Sequence, residues 1–105
     1  MSLDGRYVLV TGASGGIGSE VVKRFLEAGA IVGIHYCTNE KAAAELVALA
    51  RGEQCKAFQA DFSDSHQILR LWEDFFAWSG TIDILVNNAG GASDARPFEE
   101  LSEAA

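Results

Sequence analysis

Proline, cysteine and positive charge are all scarce in this chain. Of its 105 residues only one is proline and two are cysteine, whereas eleven are glycine. So little proline leaves room for regular secondary structure, with glycine at the turns. The length allows one small domain with a modest hydrophobic core.

The charge balance excludes several classes of partner. Eight lysines and arginines stand against fifteen aspartates and glutamates, which gives a net charge of −7. Nucleic acids and anionic lipids are bound by clustered positive charge, so neither is expected here. No apolar run reaches the about 18 residues of a membrane span, and the start, MSLDGRYVLV, lacks the basic region of a signal peptide. A cytoplasmic protein with no membrane partner is the expectation.

Short apolar runs alternate with segments of helical periodicity. Strands are predicted over residues 7–11, 30–36, 54–60 and 82–87. Helices are predicted over residues 16–28, over 40–51, and from a cap at 63 or 64 to 80. Because helices connect successive strands, the strands are expected to pair in parallel with right-handed crossovers. The order β-α-β-α-β-α-β predicts an α/β fold with an open, doubly wound parallel sheet.

Polar residues mark the predicted helix starts. Asn39 or Thr38 can cap the second helix. Ser63 or Asp64 can cap the third, and Gln67 is placed to complete a capping box with Asp64.

The cysteines predict neither a disulfide nor a metal site. Cys37 and Cys55 fall at opposite ends of neighbouring predicted strands. A zinc site needs about four ligands, and His35 and His66 are differently placed. Two free thiols in a reducing compartment are the preferred interpretation, and no metal is expected.

The stretch TGASGGIG follows the first predicted strand and opens the first helix. Unpaired N–H groups and the helix dipole make such a position suitable for a pyrophosphate. Gly12 permits the tight turn, and Gly18 allows the helix to pack closely on the sheet. Gly16, with Gly15 as a second candidate, lets the backbone approach the phosphates, and Ser14 can donate its hydroxyl to a phosphate oxygen.

Two alternative interpretations apply to this loop. A glycine-rich turn that holds no ligand is disfavoured, because both the preceding strand and the following helix are present. A Walker loop is excluded, because Ser19 and Glu20 follow Gly18 where that motif has its Lys and Ser or Thr.

The loop resembles the T-G-x-x-x-G-x-G cofactor motif of the short-chain dehydrogenases/reductases. Its double glycine also fits the T-G-x-x-G-x-x-G spacing of the extended group of that family. NNAG at residues 87–90 resembles the motif after the fourth strand of the short group and decides between the two. The resemblance covers the whole chain. It implies a Rossmann-type fold and hydride transfer between NAD(P)(H) and a small-molecule carbonyl or alcohol.

The resemblance also implies cofactor-binding residues. Those at the pyrophosphate would be Gly12, Ser14, Gly16, Ile17 and Gly18, with Gly15 beside them. Asp61 would hydrogen-bond the adenine amino group, with the backbone of Phe62 nearby. The residues along the adenine-side ribose would be Asn88, Ala89 and Gly90. Asn87 would brace the central sheet. The structural alternatives are a plain turn for NNAG and a helix-capping acid for Asp61.

The choice of dinucleotide rests on the end of the second strand. It reads IHYCTN, without the acid that would bind a ribose 2′-hydroxyl, and this favours NADP(H) over NAD(H). The usual arginine is also missing, because Gly15 occupies one position where the family often has a base. Thr38, Asn39 and Lys41 remain as donors, whereas His35 and Tyr36 are interpreted as strand residues.

No catalytic residue is identified in this chain. The family's proton transfer depends on a Tyr-x-x-x-Lys pair, but Tyr7 is followed by Thr11 at that spacing and Tyr36 by Glu40. Residues 1–105 are therefore interpreted as the dinucleotide-binding domain of an oxidoreductase, cut at the start of the helix after strand four. Because members of this family commonly dimerise, the resemblance also implies a homo-oligomer. The alternatives are a non-catalytic dinucleotide-binding module and a fold fragment without a ligand.

Overall fold

The computed structural model describes residues 2–88, along which strands and helices alternate as predicted. The elements are β1 (Tyr7–Thr11), α1 (Gly16–Glu27), β2 (Ile31–Tyr36), α2 (Glu40–Leu49), β3 (Cys55–Gln59), α3 (Ser65–Ser79) and β4 (Ile84–Asn87). None of these helices combines the length and the apolar character needed to cross a bilayer.

The four strands form one parallel sheet in the order β3-β2-β1-β4. β1 pairs with β2 on one side and with β4 on the other, so the order of the strands reverses at β1. In sheets of this kind, ligands bind beyond the carboxyl ends of the strands at such a reversal. The residues that leave β1 and β4 are the glycine loop and Asn88.

Alternating side chains of the strands build a core on each face of the sheet. Val8, Val10 and Ile34 belong to the core that includes Val22 of α1 and Leu46 of α2. The other core contains Leu9, Phe58, Leu71 and Phe75, the last two from α3. Two helices therefore cover one face and the third covers the opposite face, which is the doubly wound arrangement that the sequence predicts.

Helix α1 ends one residue earlier than predicted, because Ala28 is its C-cap. Gly29 follows with a φ of +89°, in the left-handed region. Its N–H donates to the carbonyl oxygen of Leu26 at 3.1 Å, and the N–H of Ala30 donates to that of Phe25 at 3.1 Å. This pair of hydrogen bonds is a Schellman motif. Because Ala30 belongs to the motif, β2 begins at Ile31 and not at residue 30.

Helix α2 and strands β2, β3 and β4 are also shorter than predicted. Ala50 is already extended, so α2 ends at Leu49 and not at residue 51. β2 begins at Ile31, β3 covers 55–59 and not 54–60, and β4 begins at Ile84 and not at 82. The flanking residues still hydrogen-bond to the neighbouring strands: the N–H of Val32 donates to the carbonyl oxygen of Gln54 at 2.7 Å, and the N–H of Ala60 donates to that of Tyr36 at 3.0 Å. The differences therefore concern only the last one or two residues of each strand.

The cap of α3 is Asp64 and not Ser63, and its Oδ1 accepts the N–H of His66 at 2.9 Å. Gln67 Nε2 donates to Asp64 Oδ2 at 3.2 Å, whereas Gln67 Oε1 accepts the N–H of Asp61 at 2.9 Å. The predicted capping box is thus corrected: Gln67 reaches back to Asp61, since the N–H of Asp64 already donates to the Asp61 carbonyl oxygen. At α2 the cap is Asn39 and not Thr38, with Asn39 Oδ1 accepting the N–H of Ala42 at 3.1 Å.

Candidate functional site

The glycine loop makes a tight turn between β1 and α1. Gly12 has a φ of +63°, which lies in the left-handed region that favours glycine. The N–H of Gly15 donates to the carbonyl oxygen of Gly12 at 3.3 Å, and the N–H of Ser19 then donates to that of Gly15 at 2.9 Å. The predicted turn-forming role of Gly12 is confirmed.

Gly18 is the point of closest approach between α1 and the loop. A Cβ at this position would collide with the carbonyl oxygen of Gly12 and would lie 2.9 Å from both Ala13 Cα and Asn88 Nδ2. Gly18 does permit a close approach, but the predicted partner is corrected: the neighbours of the missing Cβ are the glycine loop and Asn88, which follows β4, and not the sheet itself.

Gly16 differs from Gly18, because nothing in its own fold requires it to be glycine. Apart from its two chain neighbours and the backbone of its own helix, no heavy atom of the described residues lies within 4 Å of where its Cβ would stand, and its φ is not positive. At Gly15 a Cβ would meet only the Gly12 carbonyl oxygen, at an ordinary 3.7 Å. The missing side chain at Gly16 leaves open space beside the first turn of α1.

The N-terminus of α1 is open to an anion. Its N-cap, Gly15, provides no side-chain hydrogen bond, and the first turn carries no acid. Within residues 2–88 the N–H groups of Gly16, Ile17 and Gly18 therefore have no capping side chain, whereas Asn39 caps α2. Ile17 is 74% exposed beside them, and the hydroxyl of Ser14 makes no side-chain hydrogen bond to the described residues.

Thr11 joins the two sequence motifs. Its Oγ1 donates to Asn87 Oδ1 at 2.9 Å and accepts the N–H of Asn88 at 2.9 Å. The side chain of Asn88 in turn donates from Nδ2 to the carbonyl oxygen of Gly12 at 3.3 Å. The prediction that Asn87 braces the sheet is confirmed. Asn88 also braces the glycine loop, a contact that the sequence did not predict.

The Asp61 carboxylate organises a turn between β3 and α3. Its Oδ1 accepts the backbone N–H of Ser63 at 2.9 Å and the Ser63 hydroxyl at 2.7 Å. These two hydrogen bonds lower the pKa of Asp61, the backbone one most. The alternative of a helix cap is wrong for Asp61, because Asp64 caps α3. Its second oxygen accepts no hydrogen bond from residues 2–88, so it is open to a donor.

His35 is the residue that sequence reasoning missed. It is a buried strand residue, as interpreted, but its ring contacts the glycine loop: the N–H of Gly12 donates to His35 Nδ1 at 2.9 Å. His35 Nε2 lies 2.8 Å from the carbonyl oxygen of Ala60, and the ring stacks on Phe62 at a centroid distance of 4.1 Å. The one available signal was a polar residue inside an apolar strand next to β1.

The remaining predicted residues lie at the end of β2 or outside the described part. Thr38 is exposed after β2, and its carbonyl oxygen accepts the N–H of Glu40 at 3.0 Å. Lys41 is also exposed, in the first turn of α2. Ala89 and Gly90 lie outside residues 2–88, and the structure places neither of them.

Both cysteines are free thiols, and they differ in solvent exposure. Cys37 is exposed and Cys55 is buried. Burial raises the pKa of the Cys55 thiol to about 11, so this thiol is protonated and unreactive at neutral pH. Among the residues that the structure describes, no group of three His, Cys, Asp or Glu side chains is arranged to hold a metal ion.

Known proteins resemble this chain in sequence and in fold. The profile of a family described as short chain dehydrogenase matches residues 6–105. An uncharacterized oxidoreductase of Schizosaccharomyces pombe is 42% identical over 103 residues, which is 97% of this chain and 36% of that protein.

Two solved structures carry nicotinamide cofactors. Pseudomonas aeruginosa RhlG, solved as an active-site complex with NADP, is 41% identical with a TM-score of 0.75, over 88% of this chain and 37% of that one. A 3-ketoacyl-(acyl-carrier-protein) reductase of Brucella melitensis, complexed with NADH, is 33% identical with a TM-score of 0.68, over 80% of this chain and 34% of that one.

This chain thus spans little more than a third of the length of these relatives. The match to the family profile covers nearly all of its 105 residues. Together with the parallel sheet, the glycine loop at the reversal of strand order and the Asn88 contact, it shows that the chain belongs to the short-chain dehydrogenase family.

Proposed function

We propose that residues 1–105 are the dinucleotide-binding domain of an NAD(P)(H)-dependent oxidoreductase. The single observation that carries this proposal is Gly16. Its φ is not positive and its missing Cβ faces open space, so neither the turn nor the packing explains a glycine there. A ligand that approaches the backbone at the start of α1 does explain it.

The electrostatics of this position suit a pyrophosphate. The first N–H groups of α1 have no side-chain cap, no acid stands in the first turn, and the helix dipole adds partial positive charge. Binding is favoured further if the glycine loop is already rigid before the ligand binds, because the loop then loses less conformational entropy on binding. Gly12 is held by His35 through its N–H and by Asn88 through its carbonyl oxygen, which supplies that rigidity.

The proposed cofactor extends from the glycine loop across the ends of β2 and β3. Asp61 Oδ2 has no donor among the described residues and is assigned to the adenine amino group, beside Phe62. Thr38 and Lys41 are assigned to the adenine-side ribose and its 2′-phosphate, because no acid stands at residues 35–39 to repel that phosphate. On this basis NADP(H) is the proposed cofactor in preference to NAD(H). Asn88, with Ala89 and Gly90, is assigned to the ribose.

The proposed reaction is hydride transfer between the nicotinamide and a small-molecule carbonyl or alcohol. The cofactor supplies the hydride chemistry, and this chain's residues bind and orient its phosphate and adenine parts. The 105 residues contain no Tyr-x-x-x-Lys pair, so we assign no proton transfer to them. Because members of the family commonly dimerise, we extend the proposal to a cytoplasmic homo-oligomer.

Titration of the intact protein with NADPH, followed by cofactor fluorescence, tests the binding site. Gly16→Ala is expected to weaken binding by about tenfold or more, since the new methyl occupies the approach to the helix N-terminus. The same change is expected to leave the free energy of unfolding unchanged or slightly higher, because alanine favours a helix by up to about 1 kcal/mol over glycine.

Glu27→Ala is the matched control, because Glu27 is exposed at the other end of α1, about 16 Å along the helix axis. It should bind NADPH like the wild type. Equal binding by wild type and Gly16→Ala would contradict the assignment of this site, and turnover of a panel of carbonyl compounds by the intact protein tests the reaction.

A further inference from the structure

His35 lies in β2 and connects two segments outside that strand. Its Nδ1 accepts the N–H of Gly12 at 2.9 Å, and its backbone carbonyl oxygen accepts the N–H of Ala13 at 2.9 Å. On the other side, its Nε2 lies 2.8 Å from the carbonyl oxygen of Ala60, and its ring stacks on Phe62 with an angle of 16° between the planes. The start of the glycine loop and the segment after β3 therefore meet at one ring.

These contacts fix the protonation state of the ring. Because Gly12 donates to Nδ1, this nitrogen carries no proton, and Nε2–H donates to Ala60. A second proton could go only to Nδ1, where it would point at the N–H of Gly12. Two donors would then face each other, and the loop or the ring would have to move.

We propose that neutral His35 is a positioning residue for the dinucleotide: its ring holds Gly12 in register with Ala60 and Phe62, and protonation of the ring releases the glycine loop and weakens cofactor binding. The proposal rests on the proposed function, because it gives that binding site a residue that touches no part of the ligand itself.

The surroundings of the ring favour its neutral form. The ionisable side chains in the segments around it are Tyr36, Cys37, Asp61, Asp64 and His66. Residues 11–18, of which Gly12 and Ala13 contact His35, contain none. The Asp61 and Asp64 carboxylates are engaged by their own turn and helix start. Burial lowers the pKa of His35, and the hydrogen bond to Ala60 opposes that effect only in part.

The sign of the pH effect follows from this direction. The pKa of His35 is about 6.5 in the unfolded chain and lower in the folded one, so the unfolded state binds the extra proton first. Its contribution to stability is complete above that value and is lost as the pH falls through the folded-state pKa. Binding of the dinucleotide should decline over the same acidic range.

Nuclear magnetic resonance of the intact protein without ligand tests the contacts directly. The ¹⁵N shifts of the His35 ring should show Nε2–H and an unprotonated Nδ1 at neutral pH. The amide proton of Gly12 should shift upfield with the same midpoint as the ring when the pH is lowered. Two results from the wild-type protein would overturn the proposal. One is an Nδ1–H tautomer, and the other is a Gly12 amide proton whose shift does not change as the ring titrates.

Calorimetric titration with NADP⁺, which is stable in acid, tests the effect on binding. For the wild type we expect the Kd to rise by up to about tenfold for each unit by which the pH falls below the folded-state pKa of His35, as the competent state becomes less populated. His35→Asn keeps an acceptor oxygen for Gly12 but cannot titrate. The Kd of this variant should change with pH only as far as the ligand's own 2′-phosphate changes its protonation state. His35→Phe keeps the stacking on Phe62 but has no acceptor, and should bind weakly at every pH.

Each outcome separates the positioning role from the proposed function. Identical pH profiles for wild type and His35→Asn, with good binding by both, would refute the role of His35 and leave the binding site intact. No saturable binding of NADP⁺ by the wild type at any pH would refute both, even if the Gly12 amide followed the ring.

Discussion

The side chain of Asn88, which leaves β4, donates from Nδ2 to the carbonyl oxygen of Gly12, which leaves β1, at 3.3 Å. The two residues are neighbours because β1 and β4 pair in parallel, with Thr11 opposite Asn87. This contact joins the glycine loop to the NNAG motif at the place where the strand order reverses.

Gly18→Ala should distort this junction, because its Cβ would collide with the Gly12 carbonyl oxygen and crowd Asn88 Nδ2. The obstructing atoms include backbone, so we expect a loss of about 1–3 kcal/mol in the free energy of unfolding, measured by urea denaturation. Gly16→Ala makes the same chemical change where, beyond its chain neighbours and its own helix backbone, the described residues place no atom within 4 Å, and it should not lose stability. Equal stability of wild type and Gly18→Ala would show that α1 does not pack as described.

Gly33→Ala tests the packing of α3 on the sheet. A Cβ on Gly33 would lie 2.7 Å from Phe75 Cε1 and 3.2 Å from Phe58 Cε2. We expect overpacking to cost about 1–3 kcal/mol by urea denaturation. In a double-mutant cycle the cost should fall when Phe75 is replaced by Leu, since the contacted ring is gone. An unchanged cost in the Phe75→Leu background would be evidence against this contact.

Asp61→Asn tests the turn after β3 through its pH dependence. The pKa of Asp61 is lowered below its ordinary value of 3.8 by the two hydrogen bonds from Ser63. The ionised carboxylate therefore stabilises the fold above pH 3.8, and this contribution disappears as the pH falls through the lower folded-state value. The difference in unfolding free energy between wild type and Asp61→Asn, from urea denaturation over a pH series, should shrink in that range.

Ser63→Ala is the companion variant, because it removes the hydroxyl donor and keeps the carboxylate. In this variant the pKa of Asp61, followed by ¹³C shifts of the carboxyl carbon, should move back toward its ordinary value. A carboxyl pKa that is the same in wild type and Ser63→Ala would be inconsistent with this turn.

Gly15→Arg tests the cofactor preference. A side chain fits at this position, because within residues 2–88 a Cβ would meet only the Gly12 carbonyl oxygen, at 3.7 Å, besides its chain neighbours, and φ is −80°. A guanidinium beside the 2′-phosphate should strengthen NADPH binding relative to NADH by about tenfold, which corresponds to about 1.4 kcal/mol. Fluorescence titrations with both cofactors measure the ratio, and Gly15→Gln controls for the bulk of the side chain. A ratio unchanged by Gly15→Arg would place the 2′-phosphate elsewhere.

The sequence predicts those features that depend on local spacing. β1 lies over residues 7–11 as expected, because an apolar run is closed by the turn at Gly12. The roles of Gly12 and Gly18 follow from the same short stretch. The ends of β2, β3 and β4 were overestimated by one or two residues, because flanking residues such as Ala60 and Asp83 make a hydrogen bond to the neighbouring strand but lie outside the paired residues.

The contacts of His35 and Asn88 with Gly12 could not be predicted in the same way. They join residues 23 and 76 positions apart in the chain. Whether such side chains meet depends on strand order and register, which place His35 beside the glycine loop only after β2 has paired with β1. The hydrophobic pattern of one segment indicates which of its side chains are buried, but it does not say which residue of another strand lies opposite each of them.

The central claim is that the glycine loop holds the pyrophosphate of a nicotinamide dinucleotide, and a crystal structure of the intact protein with NADP⁺ tests it most directly. The account predicts pyrophosphate oxygens within hydrogen-bonding distance of the N–H groups of Gly16, Ile17 or Gly18. A dinucleotide bound elsewhere on the protein, with these N–H groups facing only water, would contradict it.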